Sequence, residues 1–121
     1  MPGGMTRVLV VEDDPAVRGL LRDFLELLGC AVQLAANGRE ALEHLQQTRP
    51  DLVLLDLMMP VMDGRAFGFA LRRNGRTADL PIVLMSASPH AAQVSGEIGA
   101  RALLRKPFDL DEVARLVEQL D

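Results

Sequence analysis

Five side chains in this sequence are of types that hold or move a phosphoryl group. Glu12 and Asp13 follow one short apolar run, Asp56 closes a second, Ser86 a third and Lys106 a fourth. Carboxylates gathered in one place repel one another and stay ionised together only beside a cation. Glu12, Asp13 and Asp56 offer a few hard oxygen ligands, which suits Mg²⁺, with Mn²⁺ as the second choice. Lys106 supplies a compact positive charge, and Ser86 a hydroxyl that donates to a phosphate oxygen. Phosphoryl transfer asks a protein mainly for positioning and for neutralisation of oxygen charge, with a metal assisting. A carboxylate can be the nucleophile and form an acyl phosphate. Asp56 is the candidate, because it stands alone on the middle strand, between the metal side and the lysine side. Taken singly these residues are ordinary: Asp14 serves equally well as a helix cap, and a Ser at a strand end or a Lys before a Pro usually has no chemical role. The inference rests on all of them falling at the carboxyl ends of alternating apolar runs.

Those runs, 7–11, 31–35, 52–57, 81–85 and 102–105, are short and aliphatic, and predict strands. Helical patterns lie between them. Asp14-Pro15 starts the first, with Val17, Leu20, Leu21, Phe24, Leu25 and Leu28 at helical spacing and Gly29 as its stop. Asn37-Gly38 reads as a turn before a second helix carrying Ala41, Leu42 and Leu45, which Pro50 ends. A loop over 58–63 leads to a third helix, capped by Asp63, with Ala66, Phe67, Ala70 and Leu71 inward. The fourth, around 90–98, has the weakest pattern: it contains Ser95 and Gly96, and a helical Gly costs about 1 kcal/mol relative to Ala. Asp109 and Glu112 form a capping box for the last, whose inward face is Leu110, Val113, Leu116, Val117 and Leu120. Five strands alternating with five helices predict an α/β fold, a doubly wound five-stranded parallel sheet with helices on both faces. Its site lies at the carboxyl ends of the strands, where strand order reverses. In the order 2-1-3-4-5 the first and third strands are neighbours, and Glu12, Asp13 and Asp56 converge.

The rest of the composition narrows the function. The chain has 121 residues and a formal net charge of −4, with 12 Arg and a single Lys. One domain fits that length: residues 1–6 read as a disordered tail and 7–121 as the domain. The acidic balance gives no general attraction for nucleic acid or anionic membrane. The absence of Trp and Tyr removes a base-stacking platform. Cys30 alone cannot form an internal disulfide or a Cys-based metal site, and is expected to pack as a small apolar residue. No apolar stretch is long enough to span a bilayer and no apolar signal region opens the chain, so a cytoplasmic location is expected. His44 and His90 suggest no metal site, and Arg72, Arg73 and Arg76 read as a solvated face.

The sequence resembles the receiver domain of two-component response regulators. The resemblance runs from Arg7 to the last helix and is carried by VLVVEDDP (8–15), PDLVLLDLMMPVMDG (50–64), PIVLMSAS (81–88) and GARALLRKPF (99–108). It implies a flavodoxin-like sheet in the order 2-1-3-4-5. It implies that Asp56 accepts a phosphoryl group from a phosphohistidine of a sensor histidine kinase or phosphotransfer protein. Asp13 then binds Mg²⁺ directly, Glu12 acts there through water, and the backbone carbonyl of Met58 is a further ligand. Ser86 and Lys106 bind the phosphoryl oxygens, while Met58 and Ser88 flank the water path to the acyl phosphate. Signalling then passes to a downstream protein of unknown identity, with homodimerisation through the fourth helix, fifth strand and fifth helix as one outlet. No output segment is expected within these 121 residues.

Two positions depart from the family pattern. Leu103 stands where the family usually has Tyr or Phe, which puts the usual coupling of Ser86 to a swinging aromatic ring in question. The stretch between Ser86 and Gly99 is short with a weak helix, so a labile fourth helix, ordered or moved by phosphorylation, is expected instead. Two other functions compete. A Mg-dependent phosphatase with an Asp nucleophile, of the haloacid-dehalogenase type, would need a D-x-D pattern after the first strand, which Glu12-Asp13-Asp14 does not supply. A phosphorylation-independent scaffold would have no need of Asp56 or Lys106. Nucleotide binding is disfavoured, since no glycine-rich loop follows the first strand.

Overall fold

The computed structural model describes residues 5–119. Along the chain run β1 (Arg7–Val11), α1 (Pro15–Leu27), β2 (Ala31–Ala35), α2 (Gly38–Leu45), β3 (Leu52–Asp56), α3 (Gly64–Arg73), β4 (Ile82–Ser86), α4 (Ala91–Glu97), β5 (Ala102–Arg105) and α5 (Leu110–Glu118). The five strands form one sheet in the order β2-β1-β3-β4-β5, and every pairing is parallel. Strand order reverses between β1 and β3, as the alternation of strands and helices requires.

Strand alternation divides the core between two faces. Leu9, Val11, Val53, Leu55, Ile82 and Leu84 point to one side, where Ala41 and Leu45 of α2, Phe67 and Leu71 of α3, and Ala91 and Val94 of α4 cover them. Val8, Val10, Leu52, Leu54, Val83, Met85 and Leu104 point to the other, under Leu21 and Leu25 of α1 and Val113 and Val117 of α5. β3 and β4 are buried along their whole length, as expected of central strands covered on both faces.

Local chemistry sets the helix starts. Asp14 accepts a hydrogen bond from Ala16 N–H ahead of Pro15, Asp63 accepts one from Ala66 N–H, and Asp109 with Glu112 forms the capping box. Asn37 corrects the expected turn: its side chain accepts from Glu40 N–H as the cap of α2, so Gly38 is already helical. Gly29 adopts φ +89° just past α1, where a side chain would be strained. Leu20 and Leu28 do not join the core face of α1; they are 55% and 43% exposed. At about 100° per residue, Val17, Leu21, Phe24 and Leu25 fill the inward arc and leave those two on its margins. Ala66 of α3 is likewise exposed. Residues 1–4 of the expected tail, and Leu120 of the expected inward face, lie outside the described residues.

α4 has the weakest anchoring in sequence terms. It is seven residues long, and its cap residue, His90, makes no side-chain capping bond. Its C-terminal end is held from α3. Arg65 pairs with Glu97 at 2.9 Å, and Arg72 donates to the Ile98 carbonyl at 2.7 Å and the Gly99 carbonyl at 3.1 Å. Arg72 also donates to the Ala78 and Leu80 carbonyls. It is therefore a half-buried clamp rather than part of a solvated face, whereas Arg73 and Arg76 are exposed. His44 is also half-buried, with Nε2 2.9 Å from the Leu34 carbonyl oxygen.

Candidate functional site

The carboxyl ends of β1, β3 and β5 bring the acidic residues and the lysine together. One carboxylate oxygen from each of Glu12, Asp13 and Asp56 lies within 4.8 Å of the others. Lys106 Nζ donates to Glu12 Oε1 at 2.7 Å and lies 3.4 Å from Asp56 Oδ1. Strand alternation explains the meeting. Glu12, Asp56 and Lys106 continue the series Val8–Val10, Leu52–Leu54 and Ala102–Leu104, so all three side chains emerge on the α1/α5 side of the sheet.

Ser86 continues the opposite series, Ile82–Leu84, toward α4. It is buried, pairs across the sheet with Arg105, and accepts a hydrogen bond at Oγ from Ser88 N–H at 2.9 Å. The hydroxyl thus sits next to the cluster but on the other face of the sheet. Leu103 faces the same way as Ser86, pairs with Leu84, and packs against the core that α4 covers.

Each carboxylate has a distinct setting. Glu12 is fully buried, and both its oxygens are engaged: Oε1 with Lys106, and Oε2 with the Asp14 N–H at 3.2 Å. Asp13 is exposed at the mouth of the cluster. Asp56 is 4% exposed and accepts from Met58 N–H at 3.3 Å, which brings the Met58 backbone to the carboxylate while its side chain projects outward. The close fit of α3 against the end of β3 requires Gly64, since a Cβ there would overlap the Asp56 carbonyl.

Burial first, then the charge and hydrogen bond of Glu12, hold the Asp56 carboxyl up to about 7, against the opposing pull of Lys106. For Lys106, burial by itself lowers the pKa. The hydrogen bond to Glu12 and the charges of Asp56 and Glu12 outweigh that burial, so the ammonium is held above its ordinary value. The site is thus a cluster short of positive charge. Oxygen donors alone, three carboxylates close enough to share one ion, and an Asp that resists ionisation without one all fit a small hard dication.

Reasoning from sequence missed one contributor. Arg18, from the second turn of α1, donates to the Glu12 carbonyl at 2.8 Å and to the Asp13 carbonyl at 3.3 Å. An Arg in an amphipathic helix carries no sequence signal for this, because the bond is set by the path of the loop before it.

This fold and site define a receiver of the response-regulator type. The family model described as the response regulator receiver domain matches residues 8–118, and the chain belongs to that family. The fold is accordingly flavodoxin-like. Among curated relatives, the DNA-binding dual master transcriptional regulator RpaA of Synechocystis sp. is 39% identical over 121 residues, covering 96% of this chain and 49% of RpaA. The chain spans about half the length of the curated relatives it matches. Two solved structures are close. The chemotaxis response regulator CheY4 of Vibrio cholerae has a TM-score of 0.89 and 32% identity, covering 98% of this chain and 100% of that one. The response regulator TrrA of Thermotoga maritima, in complex with Mg(2+)-BeF, has a TM-score of 0.85 and 34% identity, covering 97% and 100%.

Proposed function

We propose that this chain is a phosphorylation-dependent receiver, with residues 7–121 as its single domain, whose phospho-acceptor is Asp56. The observation that carries this reading is that Asp56 ends the middle strand inside the carboxylate cluster and 3.4 Å from Lys106, whereas Glu12, the other neighbour of Lys106, has both oxygens engaged. An oxygen of its carboxylate attacks the phosphorus of a phosphohistidine on a sensor kinase or phosphotransfer protein. The P–O bond forms as the P–N bond breaks, and the bonding pair returns to the imidazole, which takes up a proton. Water attack on phosphorus later restores the carboxylate and releases phosphate.

Asp13 and Asp56 would hold Mg²⁺ directly, together with the Met58 carbonyl. Glu12, both of whose oxygens are engaged, would act through water. Bound there, the ion neutralises charge on the phosphoryl oxygens. Mn²⁺ suits the same donors. Lys106, already between Glu12 and Asp56, needs only to turn from one carboxylate to a phosphoryl oxygen. Ser86 can donate its hydroxyl proton toward the phosphoryl group while Ser88 N–H still bonds its oxygen. That movement is felt on the α4 side, where Leu103 packs.

The output is a shift of α4 and its preceding loop, read by a downstream protein or by a second copy across α4, β5 and α5. On this reading the chain works in the cytoplasm, beside its kinase. Among the described residues no helix is long and apolar enough to cross a membrane. The test is the intact mass of the protein after incubation with Mg²⁺ and a small acyl or amido phosphate donor. One phosphoryl group should add to the wild type, none with a chelator present, and none to Asp56→Asn. An unchanged adduct in Asp56→Asn would refute the assignment. Sustained turnover of an added phosphate ester would favour the phosphatase alternative.

A further inference from the structure

The geometry points to Arg18 as a positioning residue for the cation site, acting through the backbone that carries Glu12 and Asp13. This inference rests on the proposed metal reading and extends it to a side chain outside the carboxylate cluster. The loop between β1 and α1 is short, and its bonds are few. Glu12 N–H donates to the Ala35 carbonyl at 3.0 Å and fixes the start of the loop to β2. Asp14 N–H returns to Glu12 Oε2, and the Asp14 side chain caps α1.

The two carbonyls between these ties, those of Glu12 and Asp13, are held by one group, the NH1 nitrogen of Arg18. That nitrogen spans both peptide units that flank the Asp13 Cα. A peptide plane that cannot rotate fixes the direction in which the Asp13 side chain leaves the backbone. Asp13 needs this restraint most, because it is the exposed member of the cluster and its neighbours do not wall it in. Arg18 is itself half-buried and directs its guanidinium to carbonyls, to which a cationic donor makes stronger hydrogen bonds than a neutral one. Without it the Glu12 carbonyl loses its tie and the Asp13–Asp14 peptide keeps only the bond from Asp14 N–H to Glu12 Oε2, so the three carboxylates hold less firmly the spacing that one small ion needs.

The prediction is a loss of cation affinity without loss of the fold. Groups that orient metal ligands typically contribute about 10- to 100-fold to affinity. Arg18→Ala should therefore raise the Mg²⁺ dissociation constant about 10-fold, measured by calorimetry on the full, unphosphorylated chain. Hydrogen exchange should quicken at residues 12–14 and not in β3. Arg18→Lys, one bond shorter but with three donors on its nitrogen, should recover most of the affinity. Thr77→Ala is the control: it removes the buried hydrogen bond from Thr77 Oγ1 to the Leu71 carbonyl, far from the loop, and should lower stability while leaving Mg²⁺ affinity unchanged. Equal Mg²⁺ affinity in the wild type, Arg18→Ala and Arg18→Lys would overturn the positioning role while leaving the metal site intact. A wild type that takes up no Mg²⁺ would overturn the metal reading and this inference with it.

Discussion

Replacing Asp56 by Asn in the metal-free protein should stabilise it, and the gain should depend on pH in a defined direction. The Asp56 carboxyl rises from an ordinary 3.8 to about 7 in the folded state. A folded-state pKa raised above the unfolded one means that the native state binds the proton more tightly. The contribution is then favourable at low pH and is lost as pH rises through about 7. At about 1.4 kcal/mol per tenfold change in proton affinity, the ionised form carries a penalty of about 4 kcal/mol above pH 8. At pH 5 the native carboxyl is still protonated while the unfolded one is ionised, so the penalty is less than half of that. Asn resembles the neutral acid in shape. It can keep the bond from Met58 N–H and leaves Lys106 to Glu12. With a urea slope near ~2 kcal/mol/M, Asp56→Asn should raise the unfolding midpoint in EDTA by about 2 M at pH 8.5 and by less than half of that at pH 5. Urea titrations followed by circular dichroism at the two pH values provide the assay, since the chain has no Trp. An equal gain at both pH values, or a loss at pH 8.5, would refute the electrostatic reasoning.

The site and the loops around it yield further expectations. Mg²⁺ at about 100 times its dissociation constant should stabilise the wild type by about 2.7 kcal/mol, and Asp13→Ala by much less; thermal melts with and without the ion decide this. Lys106→Ala leaves Glu12 and Asp56 without their cation and should cost about 3 kcal/mol at pH 8, read in the same urea titrations. Lys106→Arg should still phosphorylate yet fail to respond, because a planar fork does not replace a compact ammonium at one phosphoryl oxygen. The readout is hydrogen exchange at residues 87–98 with and without beryllofluoride, and a full response in that variant would return Lys106 to a bystander. In the wild type, protection over 87–98 should change with the phosphoryl mimic, and equal protection would count against α4 as the moving element. Val61 sits at φ +68° in an exposed turn closed by the bond from Met62 N–H to the Pro60 carbonyl. That region strains a β-branched residue by about 1–3 kcal/mol. Val61→Gly should therefore stabilise the fold by about 1 kcal/mol after the glycine entropy cost, and a lower melting temperature would contradict this.

The strands were legible because each is a short aliphatic run bounded by a turn or a cap, and β1, β2 and β5 keep the bounds read from sequence. β3 stops one residue sooner and β4 starts one later, at Asp56 and Ile82. The convergence of Glu12, Asp13 and Asp56 was legible too, since parallel strands joined by helices place all carboxyl ends on one edge. Less visible were features set by three-dimensional paths. Arg72 and Arg18 both find carbonyls on segments distant or looped in sequence, and an Arg on a helix looks the same whether it meets water or a carbonyl. The exposed Leu20 and Leu28 carry the same periodicity as the buried Leu21 and Leu25, because a stripe wider than the contact arc looks uniform in sequence. That Ser86 opens to the α4 face while Asp56 opens to the α1/α5 face follows only from strand register. Leu103, in the position of the usual ring, faces the same side as Ser86 and pairs with Leu84.

The most direct test of the account is the position of the covalent bond. After incubation with Mg²⁺ and a small acyl phosphate donor, borohydride reduction converts an aspartyl phosphate into homoserine, which peptide mass spectrometry locates. The account predicts homoserine at position 56 alone, absent when a chelator is present. Homoserine at position 13 or 14, or none at 56 in protein that carries phosphate, would contradict it.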